Sequence, residues 1–129
     1  MKERGWSTFQ GLALSLMRIV LSLTFMLHGT QKVLGFPSGK VVQLASLLGV
    51  AGALELLGGA LLCLGLLTRP VAFILSGQMA VAYFYMHAPR GFWPIANGGE
   101  LAVVYCFVFF YIFAAGGGTV SLDRIARRK

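Results

Sequence analysis

Five ionisable side chains, Arg18, His28, Glu55, His87 and Glu100, sit in stretches that are otherwise almost wholly apolar. Within a membrane span such a group costs roughly 2.5 to 3.5 kcal/mol, so it faces the bundle interior and pairs with another polar group. A desolvated carboxylate or imidazole there can accept or release a proton during chemistry on a bound lipid-soluble molecule. Glu55 and His28 are therefore the candidate catalytic groups.

Their depths follow from a helical rise of about 1.5 Å per residue. With the outer ends of the first two helices near Leu34 and Val41, His28 lies about 9 Å deep, Glu55 about 21 Å and Arg18 about 24 Å. The spacing thus predicts an intramembrane ion pair between Arg18 and Glu55, flanked by Ser15 and Ser22 on the arc of Arg18. One reading of that pair is structural, each charge neutralising the other. The other makes Glu55 a proton-handling group and Arg18 a part of the binding site.

Nearer the outer face, His28, Lys32, His87 and Glu100 form a polar mouth with Arg90 and Asn97. At 100° per residue His87 shares a face with Tyr83, whereas Gln78 and Tyr85 point elsewhere, so only one set can line a site. Two His and a Glu could bind a metal, but they fall on three helices without local spacing, and no metal site is expected. Asn97-x-x-Glu100 has capping-box spacing, which accounts for Glu100 without any function. On the same helix Val104, Phe107 and Tyr111 continue the Glu100 face and offer an aromatic wall to a flat ring, or simply core.

The elements that must position these groups follow from composition. Of 129 residues, 57% are hydrophobic and 12% charged, and mean hydropathy is +0.79. A soluble domain is about a quarter charged. At about 20 residues per span the chain accommodates an all-α, antiparallel four-helix transmembrane bundle as a single domain, with spans near 11–34, 41–67, 71–88 and 98–115. There is no room for a separate water-facing catalytic domain. Breakers at Gly35-Phe36-Pro37-Ser38-Gly39, Thr68-Arg69-Pro70 and Pro89 to Pro94 supply the turns, and Ala45, Gly49, Ala53, Gly59 and Cys63 make the second helix one for close packing. Phe92 and Trp93 suit an interfacial cap.

The 11 Lys and Arg against four acids reflect topology rather than nucleic acid, since no basic patch is interleaved with exposed aromatics. Lys2, Arg4, Arg69, Arg124, Arg127, Arg128 and Lys129 fall on one side of the four-span arrangement; Lys32, Lys40 and Arg90 fall on the other. In a bacterial-type inner membrane this predicts both termini in the cytoplasm, with the first span retained rather than cleaved as a signal peptide. The basic tail suits anionic headgroups. Cys63 and Cys106 read as small hydrophobes.

Arg18, His28-Gly29-x-Gln31-Lys32-x-x-Gly35-Phe36, Glu55-Leu56-Leu57-Gly58-Gly59, Leu64 to Pro70, Ala82-Tyr83 with His87, and Asn97-Gly98-Gly99-Glu100 with Tyr105 together resemble the DoxX family. The resemblance spans roughly Met17 to Tyr111. It implies a small four-helix membrane protein grouped with subunits of quinone-linked oxidoreductases, and marks His28, Lys32, Glu55, Arg69 and Glu100 as motif residues. With no flavin, haem or dithiol motif of its own, the chain would depend on a quinone or a redox partner protein to carry electrons. The expected arrangement has a quinone ring near Phe107 and Tyr111, with His28 and Glu100 at its oxygens, Arg18 and Glu55 setting the field below, and Lys32 also in the binding site. Two other readings are a scaffold docking a soluble redox enzyme through Arg69 and the tail Arg124 to Lys129, and a small-solute transporter, which would call for a homo-oligomer.

Overall fold

The computed structural model describes residues 2–129. Helix α1 runs over Lys2–Leu34, α2 over Leu47–Leu64 and α3 over Thr68–Ala82, continued by a π-helical turn at Tyr83–His87 and a 3-10 turn at Ala88–Arg90. A single turn, α4 (Pro94–Asn97), leads into α5 (Glu100–Ala115), and α6 (Leu122–Arg127) closes the chain. Among the described residues there is no strand. Three segments, Glu3–Leu34, Leu47–Leu64 and Thr68–Arg90, are long and apolar enough to cross a membrane, and Glu100–Ala115 is a shorter apolar helix. The chain is thus an all-α, polytopic membrane protein.

Contacts along the helices show that neighbours run antiparallel: Arg18 meets Leu62 while Lys32 meets Glu55, and Arg69 meets Phe113 while Ser76 meets Cys106. The tightest pairs are α1 with α2 and α3 with α5. In lipid that packing rests on close van der Waals approach, and glycine supplies it. A Cβ on Gly29 of α1 would lie 2.6 Å from the Leu56 amide nitrogen and 2.7 Å from the Gly52 carbonyl oxygen of α2. The face of α2 turned to α1 is therefore Gly52 and Gly59, while Gly49 abuts the Gln43–Leu44 backbone before the helix and Gly58 meets Leu75 of α3. Ala45, expected in this stripe, precedes the helix.

The boundary matters more than the stripe. Helix α2 starts at Leu47 rather than near Val41, because the Ser46 hydroxyl accepts from the Gly49 amide and caps it there. It ends at Leu64, where Gly65 takes φ 69° and its amide returns to the last-turn carbonyls. A side chain at Gly65 would be strained by that φ and would run into the Arg18 guanidinium, 2.6 Å away. Helix α1 is joined to α5 by aromatic rings: Phe25 lies 5.1 Å from Tyr105 and 4.9 Å from Phe109, centroid to centroid, within the buried core.

Candidate functional site

Arg18 and Glu55 are both buried, at 1% and 2% exposure, as groups of their cost must be. They do not pair with each other, which corrects the sequence expectation. Arg18 donates through Nε to the Gly117 carbonyl (2.9 Å), through Nη1 to the carbonyls of Leu62 and Cys63, and through Nη2 to that of Val120. It thereby neutralises the negative, C-terminal end of α2 and pins the segment after α5 to α1. Ser15 and Ser22 do share its arc: Ser15 Oγ accepts from the Val120 amide, and Ser22 Oγ donates to the Arg18 carbonyl.

Glu55 is paired instead with Lys32, whose Nζ lies 2.6 Å from Oε1 and 2.7 Å from Oε2. The physical reason is the late start of α2. Counted from Leu47, Glu55 is about 12 Å below the helix end rather than about 21 Å, level with the reach of Lys32 from the last turn of α1. Gln78 of α3 adds a second donor group, its Nε2 lying 3.2 Å from Glu55 Oε1 and 3.3 Å from the Ala51 carbonyl. Its own Oε1 is buried without a hydrogen-bond partner.

This carboxylate forms part of the wall of a cavity of about 610 Å³ enclosed by α1, α2, α3 and α5. Phe25, His28, Lys32, Glu55, Gln78 and Tyr105 line its inner side. Tyr105 shares a hydrogen bond of 2.9 Å with Thr24 and meets the His28 ring edge-on at 6.3 Å. His87 and Arg90 line it nearer the outer end. Between α2 and α3 it is walled by Leu54, Ile74, Val81 and Tyr85, which are themselves exposed on the bundle surface, so the cavity opens sideways.

Gln78, Tyr85 and His87 all line this one cavity, although 100° per residue places His87 about half a turn from the face that Gln78 and Tyr85 share. The π-helical turn at Tyr83–His87 reconciles them: its wider i→i+5 closure makes the chain lag behind α-helical phase and carries His87 round. His87 Nδ1 then sits 3.3 Å from the Asn97 carbonyl.

Four sequence-predicted residues lie elsewhere: Arg18, expected in the binding site, is spent on main-chain carbonyls away from the cavity, and three others are on the surface. Phe107 and Tyr111 are 68% and 58% exposed on the outer surface of α5, with the buried face formed by Tyr105, Phe109 and Ile112 instead, so they make no wall for a ring in the cavity. Glu100 is exposed at the first position of α5 and is absent from the cavity lining. The capping box is not formed either, since Gly99 rather than Asn97 caps α5. Asn97 is buried and holds the preceding loop: Nδ2 donates to the Gly91 carbonyl (2.7 Å) and to Tyr83 Oη (3.2 Å), while Oδ1 accepts from the Gly99 amide (2.8 Å). Glu100 retains only the favourable charge at a helix start. Arg69, expected as a docking contact, donates through Nη1 to the Phe113 and Ala114 carbonyls at the end of α5.

The arrangement can therefore hold an amphiphile whose polar end meets Lys32, Gln78, His28 and Tyr105 and whose apolar body extends toward lipid. Sequence reasoning set Gln78 and Tyr85 against His87 as alternatives, of which only one set was expected to line a site; all three line this cavity.

The chain is 49% identical over 117 residues to an uncharacterized protein of Haemophilus influenzae, covering 85% of this chain and 87% of the relative. It is 33% identical over 79 residues to a second uncharacterized protein of the same organism, covering 61% of this chain and 52% of that relative. No solved structure matches it. The DoxX family profile matches residues 13–88, which contain Arg18, His28, Lys32, Glu55, Gln78 and His87, and the chain belongs to the DoxX family.

Proposed function

We propose that the cavity binds a quinone-like, lipid-soluble redox molecule and that the protein serves as the binding and proton-handling subunit of an oxidoreductase system. In this reading it sits in a bacterial-type inner membrane with both chain ends on the cytoplasmic side. The observation that carries it is the meeting, on one wall of an apolar cavity, of a charge-compensated carboxylate and an unpartnered amide oxygen. Sites for small ligands have this make-up, mostly apolar with a few convergent polar groups, and fall in the 300–1,000 Å³ range.

The residues fit the group chemically. Lys32 and His28 offer donors to a ring oxygen, and Gln78 Oε1 offers an acceptor to a ring hydroxyl. The ligand supplies the redox chemistry when bound, since the chain carries no flavin, haem or dithiol motif. Glu55 Oε1 and Oε2, held by Lys32, are the atoms where a proton leaving or reaching that ligand would rest, and His28 on the same side of the cavity is a second group that can exchange it. Lys32 pairs with the carboxylate, and aliphatic side chains such as Leu54 and Ile74 line the cavity around it. Arg18 supports the bundle from below without touching the ligand.

The test is photolabelling in nanodiscs with an azido-quinone bearing a short tail. Labels on peptides around Gln78, Tyr85 and Tyr105, suppressed by excess unlabelled quinone, are expected. Labelling confined to outward residues such as Phe107 and Tyr111, undiminished by competitor, would overturn the reading.

A further inference from the structure

A second cavity, of about 360 Å³, lies at the opposite end of the bundle between α1, the loop Gly116–Gly118 and α6. Three guanidinium groups line it, those of Arg69, Arg124 and Arg127, against one carboxylate, Asp123. That carboxylate caps the start of α3, where Oδ1 accepts from the Leu67 amide and Oδ2 from the Thr68 amide, both at 2.9 Å, with Arg127 near it. The cavity is left with an excess of positive charge. Arg69 uses Nη1 on the α5 carbonyls, while its Nη2 lies 3.4 Å from where a Gly116 side chain would begin. Arg124 makes only a long, 3.4 Å contact to the Thr119 carbonyl.

The loop completes the cradle. Gly116, φ 87°, has no side chain and so leaves room for the Arg69 guanidinium at the cavity wall, while Gly118, φ 84°, packs on Gly11 and Ser15 of α1 and fixes the loop there. Exposed Val120, Leu122 and Ile125 flank the arginines, the make-up of a segment suited to the boundary between acyl chains and headgroups. Guanidinium forks match phosphate oxygens two at a time.

We propose that this cavity binds a phosphate-bearing anion at the membrane surface. Two sources share that chemistry, the headgroup of an anionic phospholipid in the surrounding leaflet and free inorganic phosphate. This site is independent of the intramembrane cavity, and its failure would leave the quinone reading untouched.

The full chain in neutral detergent would be titrated with dihexanoyl phosphatidylglycerol, dihexanoyl phosphatidylcholine and inorganic phosphate, with binding read by native mass spectrometry and thermal shift. Phosphatidylglycerol is expected to bind in a salt-sensitive manner and phosphatidylcholine at least about tenfold more weakly. If phosphate alone matches phosphatidylglycerol, the free ion is the source and the site stands; if it competes poorly, the headgroup is. The double variant Arg124→Gln/Arg127→Gln should weaken binding by about tenfold or more, whereas Arg128→Gln/Lys129→Gln, which removes equal charge outside the cavity, should change it less than about twofold. Equal losses in the two variants, or equal binding of the two lipids, would overturn the proposal.

Discussion

Lys32 Nζ lies within hydrogen-bonding distance of both carboxylate oxygens of Glu55, across the α1–α2 contact, while Lys32 is 28% exposed and Glu55 only 3% by side chain. The two partners therefore depend on the pair unequally. Lys32→Met strands a buried carboxylate and is expected to destabilise by about 2–4 kcal/mol, whereas Glu55→Gln leaves a lysine that can turn toward the outer surface and costs about 1–2 kcal/mol. The double variant should be more stable than Lys32→Met alone. Unfolding in mixed micelles with a double-mutant cycle measures this, and equal single-variant costs would contradict it.

Arg18 tests the corrected pairing. Its partners are four main-chain carbonyls, so an exchanged pair, Arg18→Glu with Glu55→Arg, should not restore stability. Arg18→Lys is expected to lose about 2 kcal/mol or more, because an ammonium cannot match the planar fork. Recovery of wild-type melting by the exchange would show that the two charges do meet.

Glycine variants separate close approach from helix propensity. Gly29→Ala should destabilise by about 1–3 kcal/mol, since the new methyl meets α2 backbone that cannot move aside. Gly77→Ala meets nothing within 4 Å and should be neutral or stabilising by up to about 1 kcal/mol. Melting temperatures of the two variants decide it.

The docking of α6 on α3 should depend on pH. Burial by itself pushes the Asp123 carboxyl up, but the Thr68 hydroxyl beside it, the Thr68 and Leu67 amides, and nearby Arg127 together hold it below its ordinary value of 3.8. A lowered folded-state value means that the contact contributes fully above that ordinary value and is lost as pH falls through the lowered one. Arg69 and Arg124 are the other charged groups lining that cavity. Amide exchange at Leu67 and Thr68, corrected for intrinsic rates, should show protection lost in strong acid and reduced at neutral pH in Asp123→Asn. Equal protection in both proteins would contradict the assignment.

Much of this was legible from residue type. Apolar run lengths and breaker clusters give the helices and their antiparallel order, and the rule that charges in lipid face inward correctly buries Arg18 and Glu55. Partnership was not legible, because it depends on depth. The loop before Ser46 is apolar enough, with Val41, Val42 and Leu44, to read as helix, and including it moves Glu55 by six residues, or about 9 Å. The carbonyls that satisfy Arg18 come partly from Gly117 and Val120, about 100 positions away, and main-chain acceptors leave no mark in side-chain spacing. The face of His87 depends on a π-helical turn that fixed 100° periodicity does not include. Periodicity also gives α5 a choice of faces, and its helix is so apolar that Phe107 and Phe109 look equivalent; only Phe109 turns inward, onto Phe25.

The sideways opening between α2 and α3 bears on how any occupant is captured. A guest arriving through that seam is never dissolved in water, so the concentration that governs occupancy is the one in oil, where a long hydrocarbon tail accumulates it. Weak intrinsic attraction then suffices to keep the cavity filled, and weak attraction also means rapid release. The seam thus favours a guest that turns over quickly rather than one held for the lifetime of the protein.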